Sequence, residues 1–272
     1  SSEYFPLKEV LLFHPRSNFP EIRDPDRWQF LRSVDPKELL IQCHQLKDTY
    51  ESLGIKVHLL EDHHFLNPSP NLLFCRDLFL LTPYGAILGR MGSLVRAGEE
   101  KWAQLALAQM GIPVLRCISG RGVFEGADAL WLDSHTLLVG IGNRTNLEAF
   151  QQIQSTLEEF QIQCVGVPLP KSVQHLLGLL QMPRPNTAFL RKEKAPDSLI
   201  ELFQSRGMKI VWVEETEETV WKQSFNFVCH QPNHIIMAKN CPKSKAYFEK
   251  NGLNVTAEVE ISQYISAAGG IA

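Results

Sequence analysis

The sequence has no apolar run that approaches a membrane span, no signal-peptide pattern in its opening "SSEYFPLKEV", and no CxxC pair. The first absence argues against a transmembrane helix and the second against secretion. The third bears on the six cysteines, at 43, 75, 117, 164, 229 and 241. Scattered in this way, they fit reduced thiols in a cytoplasmic protein rather than a disulfide framework. Strong charge of one sign is also missing. A net charge of −3 gives no reason to expect nucleic acid or a membrane surface as partner. No Gly/Ser linker or low-complexity stretch divides the 272 residues, so one domain spanning 1–272 is expected. An initiating Met is lacking too, which we read as a trimmed end.

What is present is a repeat. A helical stretch ends, often at Gly, and a short apolar strand follows, in "LGIKVHLL", "MGIPVLRC", "FQIQCVGVPL", "RGMKIVWV" and "NGLNVTAEV". Gly after a helix supplies the left-handed backbone that ends it, and the β-branched run then reads as strand. Interleaved with these are pairs of apolar runs flanking a polar turn: "LFLLTPYGAILG", "ALWLDSHTLLVG", "LLGLLQMPRPNTAFL" and "NFVCHQPNHIIMA". These read as β-hairpins. The turns fall roughly 50 residues apart, a period typical of repeated supersecondary units. Each unit is hairpin, helix, strand. The first has only "EVLLFHP" in place of a hairpin, so a C-terminal strand is expected to complete it and close a ring. The fold class is α/β, with side chains of several repeats converging on a central channel.

The hairpin starts carry unusual polar residues. "PNLLFCRDLFLL" holds Asn71, Arg76 and Asp77; "GRGVFEGADALWL" holds Glu125 and Asp128; "KSVQHLLGLL" holds His175. Taken singly, each has a plain structural reading: a turn residue, an ion-paired acid, a half-buried histidine. Near-equivalent positions in successive repeats change that, because such positions face a common axis. Asp77, Glu125 and His175 are therefore expected to meet. Two carboxylates suit a planar guanidinium through paired, charge-assisted hydrogen bonds, and a histidine can shuttle protons to a leaving amine and from a water. A nucleophile is missing from this set.

"PNLLFCRDLF" resembles the "PNLYFTRDPF" motif of arginine deiminases, and "FEGADAL" is similar to their "EGGD" motif. His175 stands where that family has its catalytic histidine. The resemblance runs from about Asn71 to the end of the sequence. It implies the pentein fold, a fivefold pseudosymmetric ββαβ propeller shared with dimethylargininases and amidinotransferases. The family's C-terminus carries a Gly-Gly-x-x-Cys motif whose cysteine is the nucleophile. "AAGGIA" supplies Gly269, Gly270, Ile271 and Ala272, so the resemblance places that thiol at the next position. It further implies that Asp77 and Glu125 hold the guanidinium and that Glu125 also steadies His175. Arg96, in "RMGSLVRAGEE", and Arg144, in "GIGNRTN", would hold the substrate's α-carboxylate. Asn71 would contact the same end of the substrate. The expected substrate thus bridges a positive and a negative end of the pocket.

Two departures stand out. The family's His-Leu-Asp is here His175-Leu176-Leu177, which removes a guanidinium ligand worth about 1.5–3 kcal/mol as a charge-assisted hydrogen bond. The family arginine shortly before the nucleophile is replaced by Ala268. The implied activity is hydrolysis of a guanidino group of arginine or a derivative, with no cofactor and no metal, acting on a small-molecule guanidino substrate. An amidinotransferase and an inactive guanidino-compound binder are the alternatives. A homo-oligomer is left open. Outside this class, Cys229, His230, His234 and Cys241 are zinc-capable residue types, although their spacing matches no common zinc pattern.

Overall fold

The computed structural model describes residues 2–15, 19, 21–61 and 69–272. It contains the expected repeat as five small sheets. Four of them have the same make-up: an antiparallel hairpin, then a helix, then a strand parallel to the hairpin's second strand. The members are β3 (Phe79–Thr82), β4 (Gly85–Leu88), α2 (Glu100–Gln109) and β5 (Val114–Cys117); β6 (Ala129–Asp133), β7 (Thr136–Ile141), α3 (Leu147–Glu158) and β8 (Gln163–Pro168); β9 (Leu180–Arg184), β10 (Thr187–Arg191), α4 (Asp197–Ser205) and β11 (Lys209–Val213); and, after the short α5 (Glu217–Val220), β12 (Val228–Gln231), β13 (His234–Ala238), α6 (Pro242–Lys250) and β14 (Asn254–Val259). The helix is what allows the parallel return, since a tight turn joins only antiparallel strands.

The remaining sheet is β1 (Glu9–His14) parallel to β2 (Lys56–Glu61), joined through α1 (Pro36–Ser52). The expected completion by a C-terminal strand does not occur among the described residues. β14 is already the third strand of its own repeat, and the chain then forms α7 (Ser262–Ser266).

Local chemistry explains the helix ends. Gly54, Gly111, Gly207 and Gly252 have φ of 74°, 71°, 63° and 84°, the left-handed backbone expected after a helix. In the third repeat of the series Gln161 fills that slot at φ 58°, so the shape is kept without glycine. Asn186 and Asn233 supply positive φ in the turns of the β9–β10 and β12–β13 hairpins.

Contacts gather the residues into two compact units, each discontinuous in sequence: Ser1–Phe5 with Arg76–Glu215, and Pro6–Cys75 with Thr216–Ala272. The first holds the three repeats β3 to β11. Its core includes Phe124, Trp131, Leu137 and Val139 packed with Ala149, Ile153 and Leu157, which recur every four residues along one face of α3. Asn146 caps α3 by accepting from the Ala149 N–H at 3.0 Å. It also accepts from the Val123 N–H at 3.1 Å, which ties the helix start to the segment leading into Glu125. The second unit holds β1–β2 and β12–β14. No helix among the described residues is long and apolar enough to cross a membrane.

Gly126 lies where two backbone segments meet: a Cβ there would stand 2.3 Å from both the Arg76 and Phe79 carbonyl oxygens. Backbone cannot give way as a flexible side chain can. Gly126→Ala is therefore expected to destabilise the protein by about 2 kcal/mol or more. A urea denaturation midpoint equal to wild type would contradict this packing.

Candidate active site

Each hairpin of the first unit is entered through a 3-10 turn: Cys75–Leu78, Gly126–Asp128 and Leu176–Gly178. Glu125 and His175 are the extended residues immediately before their turns. Asp77 is instead the third residue of its turn, and its counterpart in the next repeat is Asp128. The repeat therefore brings together four groups rather than the three expected.

His175 Nε2 lies 3.4 Å from Glu125 Oε2 and 3.9 Å from Asp77 Oδ1. Its Nδ1 is buried and faces Asp128 Oδ1 at 3.6 Å, a few tenths beyond a normal hydrogen bond. Asp128 is itself fixed. It accepts from the Leu176 N–H at 3.0 Å and from the Thr145 hydroxyl at 2.7 Å. Thr145 in turn accepts from the Glu125 N–H at 3.3 Å. The turn that bears Arg144 is thus tied to the Asp128 carboxylate and to the Glu125 backbone.

The two arginines are ion partners of the acids. Arg96 is buried; its Nη1 donates to Asp77 Oδ2, its Nε donates to Glu99 at 2.8 Å, and Nη1 stands 3.9 Å from Glu125. Arg144 Nη1 donates to both oxygens of Glu125 at 3.2 Å. The Gly92 N–H adds a bond of 3.0 Å to Glu125 Oε1. The expectation of separate positive and negative ends is not met. Both cations sit on the acids assigned to the guanidinium, because a buried carboxylate without a cation is costly and these were in reach.

The charges set one another. Burial alone would make His175 less basic, but Asp77, then Asp128 and Glu125, outweigh it and hold its pKa above the ordinary histidine value. Burial also pushes Asp77 up; Arg96, with His175 and Arg144, overrides it and holds the acid below the usual carboxylate range. The surrounding acids thereby favour the charged form of the imidazole.

Ligand atoms of Asp77, Glu125 and His175 all lie within 4.8 Å of one another, the only such trio found among the described residues. The spacing would admit a cation, but the arginines already neutralise both acids. The zinc-capable residues do not assemble. Cys229 Sγ donates to the Gln231 carbonyl, His234 Nδ1 faces the Pro232 carbonyl, and Cys241 is buried against the Lys239 carbonyl. Nor do three of the buried thiols suit a nucleophile: burial pushes Cys43 and Cys241 up to about 11 and Cys164 up to about 12.

The other expected residues belong to the second unit. Asn71 is buried and donates from Nδ2 to the Trp28 carbonyl at 3.2 Å. A Cβ on Gly269 would fall 2.1 Å from Phe74, and one on Gly270 would fall 2.3 Å from Asn226. The Ala272 N–H donates to Asn226 at 2.8 Å. Glycine is required at both positions by close approach, and the loop is held on a specific seat. Ala268 before it has φ 71°, uncommon for a residue with a Cβ. Glu99 and Thr145 were missed as site residues. Each sits beside an expected arginine, three residues after Arg96 and one after Arg144, and that adjacency was the available signal.

The arginine deiminase family model matches residues 45–182. An arginine deiminase of Listeria monocytogenes is 32% identical over 167 residues, covering 54% of this chain. The chain spans only 40% of that curated relative's length. Among solved structures, a mutant of the Pseudomonas aeruginosa DDAH complexed with citrulline is similar with a TM-score of 0.77 and 23% identity, over 98% of this chain and 97% of that one. The substrate-bound N-terminal domain of ArgZ, a cyanobacterial arginine dihydrolase, gives a TM-score of 0.78 at 19% identity, over 96% and 94% of the two chains. At these identities the structures establish likeness of fold.

The stabilisation that His175 draws from its charged form is fully present below its unfolded pKa of about 6.5 and is lost as pH rises through the higher folded value. Asp77 runs the other way: its contribution holds above its unfolded value and fades as pH falls through the depressed folded value. Chemical denaturation of wild type and His175→Gln across mildly acidic to mildly alkaline pH checks the first statement. The stability difference between them should shrink as pH rises. A constant difference would refute the charged imidazole.

Proposed function

Because the chain belongs to the arginine deiminase family, we propose that it cleaves a C–N bond of a guanidino group, on arginine or a close derivative. The observation that carries this reading is the convergence of Asp77, Glu125 and His175 within 4.8 Å in one unit. Two carboxylates beside a basic imidazole match a planar cation that must be held, attacked and protonated in turn. The fivefold propeller is the architecture proposed with it, in keeping with four sheets of one pattern, a fifth that keeps its parallel pair, and the likeness to the DDAH fold.

In the proposed mechanism the nucleophile is a thiolate on the loop that contains Gly269 and Gly270, at the position following Ala272. Its sulfur attacks the guanidinium carbon while Asp77 and Glu125 hold the cation through charge-assisted hydrogen bonds. The His175 imidazolium gives its proton to the departing nitrogen, which leaves as ammonia or an amine, and a thiouronium is left on the sulfur. The neutral imidazole then takes a proton from water. The resulting hydroxide adds to the same carbon, and collapse expels the thiolate and yields a ureido product. Asp128 keeps Nδ1 protonated so that Nε2 does this work. Arg144 is the proposed partner of the substrate carboxylate, and Asn71 a proposed contact for the same end of the substrate. Arg96, locked between Asp77 and Glu99, chiefly fixes Asp77 in place. In the P. aeruginosa DDAH structure the bound molecule is citrulline, a ureido amino acid; here that is the class of product proposed.

The test is to assay the full-length protein with arginine, methylated arginines and agmatine, following release of ammonia or amine and of ureido product. Turnover is expected for a guanidino amino acid, with agmatine far slower because it brings no carboxylate. His175→Gln should lower kcat/KM by roughly 100-fold or more. Equal use of agmatine and arginine would reject the substrate assignment. Transfer of the amidino group to an added amine in place of hydrolysis would move the protein to the amidinotransferases.

A further inference from the structure

Building on the proposed guanidino site, we infer that Arg144 is an internal competitor for the substrate. In the ligand-free protein it occupies Glu125 with its own guanidinium, and it yields that carboxylate when the ligand offers a carboxylate in exchange.

Arg144 Nη1 reaches both oxygens of Glu125 at 3.2 Å, so a guanidinium already sits on an acid assigned to the substrate guanidinium. The two arginines of the cluster are not equally free to move. The Arg96 side chain is 5% exposed and bonded to both Asp77 and Glu99. The Arg144 side chain is 20% exposed, and Glu125 is the acceptor its guanidinium uses among the described residues. Glu125 cannot follow it outward, since its side chain is fully buried and bonded to the Gly92 N–H. The mobile partner of this ion pair is therefore Arg144.

Charge makes the exchange conditional. Asp77, Glu99, Glu125 and Asp128 face Arg96, Arg144 and a protonated His175, which leaves one net negative charge. Moving Arg144 off Glu125 without replacement would bare a buried carboxylate, and an arriving guanidinium restores the balance. Arg144 then needs an anion of its own, which an α-carboxylate supplies. A guanidinium alone must displace the arginine and leave it without a partner. A guanidino acid removes one ion pair and makes two. The two halves of the ligand should thus bind cooperatively, and such coupling is reciprocal.

The experiment separates the halves. Methylguanidinium binding to the full-length protein is measured calorimetrically at fixed ionic strength, with and without saturating butyrate, in wild type and in Arg144→Leu. In wild type, butyrate should tighten methylguanidinium binding by about 5-fold or more. Arg144→Leu should bind methylguanidinium more tightly than wild type, bind arginine more weakly, and lose the butyrate effect. A plain carboxylate-binding role for Arg144 leaves methylguanidinium affinity unchanged, and a structural role weakens it; either result overturns the exchange. Should Arg144→Leu not fold, the butyrate effect in wild type decides alone: its absence overturns the proposal and its presence sustains it. If methylguanidinium binds neither protein, the guanidino site itself is wrong and the exchange falls with it. Binding without coupling removes the exchange only.

Discussion

A carboxylate with no exposed surface must be neutralised from within the protein, and Glu125 imposes that demand on everything around it. Its side chain is 0% exposed. Four groups answer: the Gly92 N–H, Arg144, His175 Nε2 and, at longer range, Arg96. They come from three stretches of the first unit, Gly92 and Arg96 from the same one, and the three side chains are tied further back. Arg96 is tied to Asp77 and Glu99, the turn of Arg144 to Asp128 through Thr145, and His175 to Asp128. Breaking such a pair by removing one partner is expensive, whereas exchanging one cation for another is not. The site is therefore rigid toward loss of charge and permissive toward substitution of charge. The proposed binding of a cationic substrate needs that combination.

The elements were readable because their causes are local. A glycine or glutamine in the left-handed slot ends a helix, and an asparagine turn joins two β-branched runs; both are written in adjacent residues. Even the meeting of Asp77, Glu125 and His175 followed from counting along the repeat. What counting could not supply was the offset within it. Asp77 shares its register with Asp128, and Glu125 shares its with His175. That offset is why Asp128, noted in the sequence only as an acid beside glycines, faces Nδ1 of the imidazole. The pairing of Arg96 and Arg144 with the very acids assigned to the ligand was equally hidden. It depends on which charges are buried together, and no spacing along the chain encodes burial of that kind. Glu99 escaped notice for the related reason that an acid at the start of a helix reads as a dipole partner facing water. The missing hairpin of the first repeat misled in the opposite direction. Symmetry asked for one more strand, but β14 was already needed where the repeat itself had placed it.

The two departures from the family pattern look damaging when taken apart. Leu177 removes an acid from the guanidinium cradle, and Ala268 removes a base from the loop that carries the paired glycines. In formal charge they cancel. The cluster of the first unit shows why an acid at 177 would be hard to keep alone. Its four carboxylates already outnumber its three cations by one, and Leu177 is buried. A further carboxylate buried nearby would require another cation or would hold its proton at neutral pH. With an apolar residue there, the cluster keeps its four carboxylates, Asp77, Glu99, Glu125 and Asp128, against Arg96, Arg144 and His175. In the proposed function, fewer ligands then remain for the far nitrogens of the guanidinium, and an apolar side chain in place of the acid suits an alkylated guanidine. In the function proposed above, the side chain that departs from the family pattern thus bears on which guanidine is accepted, while the proposed chemistry rests with the groups retained.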